Sequence, residues 1–195
     1  MTKNILLDIA IFICKTFKGI YVLLFIVATT VFIHFQMNRK FYQAKIKNIN
    51  TSFNFKNNGA HITKSTSWKM ENAGEDSVVY SIEKIRTPSL YILYFQYLGI
   101  LLFLFLSTKE FQKIMLSVKN LKTFKRDNVL SFRRIGIYLI GFFILTSFIS
   151  INYLKGGFTK YNISLSPILF ILFAFIMAEI FREGNTLKEE NDLTI

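Results

Sequence analysis

Apolar residues in this chain fall in long blocks separated by charged stretches, not in alternation. Four blocks approach the roughly 20 mostly apolar residues a helix needs to cross a bilayer. They are residues 19–35 (extended backwards by a helical stretch from Ile5), 88–107 (interrupted by Gln96), 135–154 and 167–181. Lipid offers no partner for backbone N–H and C=O groups, so each block must satisfy its own backbone and should be helical. A membrane barrel strand would alternate in polarity, which YILYFQYLGILLFLFL does not. The pattern predicts one integral membrane domain over residues 1–195: an all-α membrane protein with four transmembrane helices. The only prolines, Pro88 and Pro167, follow Thr87 and Ser166. That pairing marks the first turn of the second and fourth helices, where a missing N–H costs nothing and a hydroxyl can cap free amides.

Between the first two blocks, residues 37–86 carry strand patterning. Phe53 and Phe55 alternate with polar residues, as do Val78, Tyr80 and Ile82; Asn58-Gly59 reads as a hairpin turn and residues 72–74 as a loop. About three strands in a small extracytoplasmic unit are expected, serving as a sensing cap or as a plain connector; fifty residues cannot bury a large core. His61 and Trp68 read as ordinary strand or loop residues, and His34 as a headgroup-level side chain. The second connection, residues 108–134, opens as a continuation of its helix. Phe111, Ile114, Met115, Val118 and Leu121 recur at helical spacing among Lys109, Lys113, Lys119 and Lys122. Such a basic amphipathic stretch fits the headgroup layer, with docking of a cytoplasmic partner as the sharper alternative. Direct nucleic-acid binding is not expected, since no recognition-helix pattern accompanies the charge.

Charge sets the threading. Residues 109–134 hold eight Lys/Arg, whereas the connection between the third and fourth blocks has only Lys155 and Lys160. Basic short loops stay inside, so both termini and the basic connection are expected in the cytoplasm. The N-terminal run is broken by Asp8, Lys15 and Lys18 and shows no small-residue cleavage pattern, so no cleavable signal is read there.

Composition agrees: 52% hydrophobic residues and 22 Phe coexist with a net charge of +12. A single cysteine, Cys14, precludes an intramolecular disulfide. No HExxH, P-loop, CxxC, paired intramembrane aspartates or Gly-Ser nucleophile motif is present. The chain therefore reads as a non-enzyme with no cofactor and no metal site. Polar residues within the blocks (Gln96, Thr146, Ser147, Ser150, Asn152) fit hydrogen bonding to a backbone or neighbouring helix. An oligomeric small-molecule or ion transporter depending on Glu179, Ser147 and Asn152 is the alternative, and a homo-oligomer is compatible with either reading.

The last thirty residues carry the most information. Glu179, the one acid read inside a block, has Arg182 at i+3 and Glu183 at i+4, an arrangement suited to a boundary ion pair shared by two carboxylates. Gly184 reads as a helix stop, and Thr186 with Glu189 has capping-box spacing. The tail, residues 183–195, mixes Glu183, Glu189, Glu190 and Asp192 with Leu187, Leu193 and Ile195. It is expected to dock on the basic connection.

The closing stretch AEIFREGNTLKEENDLTI resembles the C-terminal signature of the bacterial domain of unknown function family 2975, through Glu179, Phe181, Arg182, Gly184, Leu187, Glu190, Asp192, Leu193, Thr194 and Ile195. KTFKRDNVLSFRRIG is similar to the same family's second landmark, through Phe124, Asn128, Val129, Arg133, Arg134, Ile135 and Gly136. The resemblance implies a small multi-pass protein of the bacterial cytoplasmic membrane, in contact with membrane lipids. It also implies a helix-turn-helix transcriptional regulator of the Cro/repressor type as partner, because members are often encoded beside one. The role so implied is regulatory.

Overall fold

A computed structural model describes residues 3–42, 45–46, 52–56, 59–67, 80–154 and 156–193. Four long helices dominate it: α1 (Lys3–Met37), α2 (Thr87–Lys119), α3 (Arg126–Ser147) and α4 (Leu165–Leu193). Each is long and apolar enough to cross a membrane. Six strands lie between them: β1 (Lys45–Ile46), β2 (Ser52–Lys56), β3 (Gly59–Ser67) and β4 (Tyr80–Ser81) before α2, then β5 (Phe148–Tyr153) and β6 (Gly156–Ser164) before α4. Both prolines sit in first turns, Pro88 second in α2 and Pro167 third in α4. The described residues form two compact units.

The first unit holds residues 1–24, 100–143 and 166–195. Its core is small: Ile114 is fully buried, with Val129, Phe132, Ala178 and Phe181 around it and Met115, Val118, Ile135 and Met177 packed on the outside. Ile114, Met115 and Val118 belong to the stripe that the sequence assigns to the headgroup layer. The structure corrects that assignment in part: α2 runs on to Lys119, and these three residues face α3 and α4, while Phe111 and Leu121 remain exposed. Glycine lets the helices approach closely. A Cβ on Gly141 would stand 2.5 Å from the Phe103 ring, and one on Gly136 would stand 2.8 Å from the Phe175 ring. Large apolar side chains such as Phe170 (63% exposed) and Phe173 (59%) point outward, the arrangement that lipid tails stabilise and water does not.

The second unit holds residues 25–99 and 144–165. Its sheet has the order β2-β3-β6-β5, all antiparallel, with a separate β1-β4 pair. The strand-rich connection between α1 and α2 is therefore present, but half of its sheet comes from the connection between α3 and α4. β3 and β6 pair over nine positions, from Gly59↔Ser164 to Ser67↔Gly156. In the β2–β3 hairpin the last described pair is Lys56↔Gly59, so Gly59 opens β3, and Asn58 lies outside the described residues. Ile82 belongs to a 3-10 turn, not to a strand with Tyr80. Trp68, Val78 and the 72–74 loop lie outside the described residues.

The third apolar block divides within its length. Its helix ends at Ser147, and Phe148–Tyr153 is strand β5 instead of helix continuing to residue 154. Gln96 supplies the physical cause: its amide nitrogen reaches the carbonyl oxygens of Leu145 (2.5 Å) and Phe148 (2.6 Å), satisfying groups that a helix end leaves open. Alternation in FISINY, with β-branched Ile149 and Ile151, then suits pairing with β6. Gly156, at φ 153, closes the hairpin in a conformation other residues rarely adopt. Tyr153 and Ile85 are buried together, and the Arg86 N–H donates to the Asn152 carbonyl at 2.9 Å.

Candidate functional site: the corner between α2 and α3

The first unit gathers the unusual polar residues at one corner. It begins with the end of α2. The Lys122 N–H reaches back to the Ser117 carbonyl (2.9 Å) and the Leu121 N–H to Val118 (3.1 Å), with Leu121 left-handed at φ 58. This is a Schellman stop in which leucine occupies the position glycine favours. Asn128, in the first turn of α3, locks the stop in place. Its buried amide nitrogen lies 2.9 Å from Ser117 Oγ, 3.1 Å from the Lys122 carbonyl and 2.6 Å from the Thr123 carbonyl. The basic connection is thus a tight, internally bonded turn.

Behind the turn lies Glu110, 5% exposed. Ser131 Oγ donates to its carboxylate at 2.8 Å, Lys113 Nζ approaches to 2.6 Å and Arg134 Nη1 to 3.9 Å. A buried carboxylate demands this much company, since an unpaired one costs several kcal/mol. Glu110 is a buried and paired acid that the sequence reading missed. The signal was available: Glu110 is four residues before Ile114, on the face of α2 that packs inward.

The family landmarks meet here. Phe124 lies against Gly184, where a Cβ would come within 2.3 Å of its ring, and its centroid is 5.6 Å from that of Phe181. Phe181 in turn packs on Phe132 at 4.8 Å. Glu179 pairs with Arg182 one turn on (2.9 Å) and with Arg133 of α3 (3.1 Å). The i+3 pair is as the sequence predicts, but the sharing is reversed: Glu179 is shared by Arg182 and Arg133, where the sequence suggested Arg182 shared by Glu179 and Glu183.

Other expectations need correction. Gly184 is not a helix stop, because α4 continues to Leu193. Thr186 and Glu189 form no capping box: Thr186 Oγ1 bonds back to the Arg182 carbonyl (3.2 Å), and Glu189 accepts from Asn185 at i−4 (2.7 Å). The glycine serves close packing under Phe124, and i, i+4 bonding carries the helix past it. Of the tail, Gly184 meets Phe124 of the basic connection, and Glu179, just ahead of the tail, meets Arg133. Leu187 and Glu190 are exposed. Asp192 and Leu193 end the helix without described side chains, and Thr194 and Ile195 lie outside the described residues.

Beside Asn128 is a cavity of about 380 Å³, lined by Lys113, Lys122, Lys125, Arg134, Asp127, Asn128, Ser131, Ser117 and Leu130. Of the polar candidates elsewhere, Gln96 bonds the end of α3, and Ser150 Oγ bonds Thr159 Oγ1 at 3.0 Å. His34 pairs through Nδ1 with the Tyr42 hydroxyl at 2.9 Å.

Four spanning helices with apolar exteriors define a multi-pass membrane protein. The family model described as a protein of unknown function, DUF2975, matches residues 73–195, and the chain belongs to that family. The match takes in both landmarks and leaves α1 outside it. No curated protein and no solved structure matches the chain.

Proposed function

We propose that this protein has a regulatory, non-enzymatic role in the bacterial cytoplasmic membrane, and that its α2–α3 corner receives a small helix-turn-helix regulator. Both termini and the corner are cytoplasmic in this reading, as the basic connection favours. The observation that carries it is the convergence of the two landmark stretches. Phe124 and Arg133 from one meet Gly184, Phe181 and Glu179 from the other in a single packed corner, and Asn128 holds the turn that carries Phe124. Exposed Lys122, Lys125 and Arg126 surround that fixed framework. A preorganised corner with exposed charges suits partner recognition. The buried or paired groups that chemistry would require, Glu110 and Glu179, are already engaged with Ser131, Lys113, Arg133 and Arg182. Transport is less well supported, because the polar residues that could line a path help hold the second unit together: Gln96 closes α3, and Asn152 bonds Ser89 and Arg86 through its backbone.

A search of the neighbouring genes for a small helix-turn-helix regulator, followed by co-expression of its product and purification from membranes in mild detergent, tests the reading. The regulator should co-purify with the wild-type chain and be lost with Lys122→Glu/Lys125→Glu. Failure to recover it with both proteins expressed refutes the reading.

A further inference from the structure

The cavity at the corner is more specific than a basic surface. Four cations line it, from three places in the chain: Lys113 on α2, Lys122 and Lys125 on the turn, and Arg134 on α3. Against them stand Asp127 on the wall and Glu110 behind it, so positive charge is in excess by two. Two of the four cationic side chains are held by an acid, and the other two stand on a fixed backbone. Glu110 draws Lys113 and Arg134 to one wall, at 2.6 and 3.9 Å. Asn128 fixes the Lys122 and Thr123 carbonyls, and with them the backbone that carries the other two cations. Polar side chains, Ser117, Asn128 and Ser131, complete the lining. The first turn of α3, the positive end of the helix dipole, borders the same space through Asp127 and Asn128, whose own N–H is taken by the Lys125 carbonyl at 2.9 Å.

We propose that this cavity is a binding site for a phosphate group. Arg134 supplies a forked donor and the lysines supply point charges, the combination that recognises a tetrahedral anion. Its position at the end of a membrane-spanning helix makes the phosphate of an anionic phospholipid headgroup one source, and a soluble phosphate compound the other. The site does not depend on a protein partner, so it stands or falls apart from the regulatory reading.

The test is native mass spectrometry of the full chain in neutral detergent, titrated with short-chain phosphatidylglycerol, with short-chain phosphatidylcholine and with inorganic phosphate. Phosphatidylglycerol or inorganic phosphate should bind saturably at one site per chain. Lys122→Gln, Lys125→Gln and Arg134→Gln, all at exposed positions, should each weaken binding about fivefold. Lys109→Gln, on the same helix as Lys113 but off the cavity wall, should leave affinity within twofold. Phosphatidylglycerol that resists millimolar inorganic phosphate identifies a headgroup; displacement at similar concentrations identifies a soluble phosphate. Either result supports the site. Binding that falls equally for Lys109→Gln, or no saturable binding of either probe, overturns it. Thermal unfolding of each variant in the same detergent confirms that it is folded.

Discussion

At Leu121 and Glu110 the chain departs from what sequence rules favour, and both departures have measurable consequences. Leu121 holds a left-handed conformation (φ 58) while 80% exposed, so its side chain gains little in return for the backbone cost. That conformation costs an L-residue about 1–2 kcal/mol, and glycine avoids it at the expense of unfolded-state entropy. Leu121→Gly should therefore stabilise the protein by about 0.5–1 kcal/mol, read as a higher unfolding midpoint in detergent. Glu110 behaves asymmetrically. Its own side chain is 7% exposed, whereas those of Lys113 and Arg134 are about half exposed (49% and 52%). Lys113→Met leaves a buried carboxylate short of its nearest countercharge and should cost about 2 kcal/mol. Glu110→Gln removes the buried charge itself and leaves two cations that can turn to water, so its cost should be under half of that. Equal losses would show that the pair is not controlled by burial of the acid.

Between elements, close contacts matter more than helix propensity. In an exposed helix interior Gly→Ala gains about 1 kcal/mol. Gly184 in α4 should reverse that sign, because its Cβ would stand 2.3 Å from Phe124. Gly184→Ala should lose about 1–2 kcal/mol. In a Phe124→Ala background the same change should become neutral or stabilising. A double-mutant cycle showing coupling of at least about 1 kcal/mol checks this; additive effects would refute it. Four helices were legible because lipid requires uninterrupted apolar runs. What escaped reading depended on long-range contacts. FISINY alternates in polarity, but over only six residues, and Gln96, about fifty residues earlier in the chain, marks where helix becomes strand. Gly184 carries the signature of a stop, yet Phe124 gives it another role. The landmarks could be recognised as sequences, but the contact of Arg133 with Glu179 is a product of the fold.

For the whole molecule, threading follows from the distribution of charge, and the landmarks sharpen the test of it. If the basic connection is cytoplasmic, the contacts at the corner put the end of α4 in the same compartment, since Phe124 on Gly184 and Arg133 on Glu179 tie them within one compact unit. Cys14 is the chain's only cysteine and is buried at 5% exposure, so Cys14→Ala gives a background without thiols at small cost to packing. Leu121→Cys and Leu187→Cys in that background place single thiols at sites 80% and 61% exposed. A membrane-impermeant maleimide should label both in inside-out vesicles and neither in intact spheroplasts. Labelling of both from outside would invert the topology while preserving the corner. Labelling from opposite faces would separate the two landmarks and with them the docking surface, whatever the orientation of the chain.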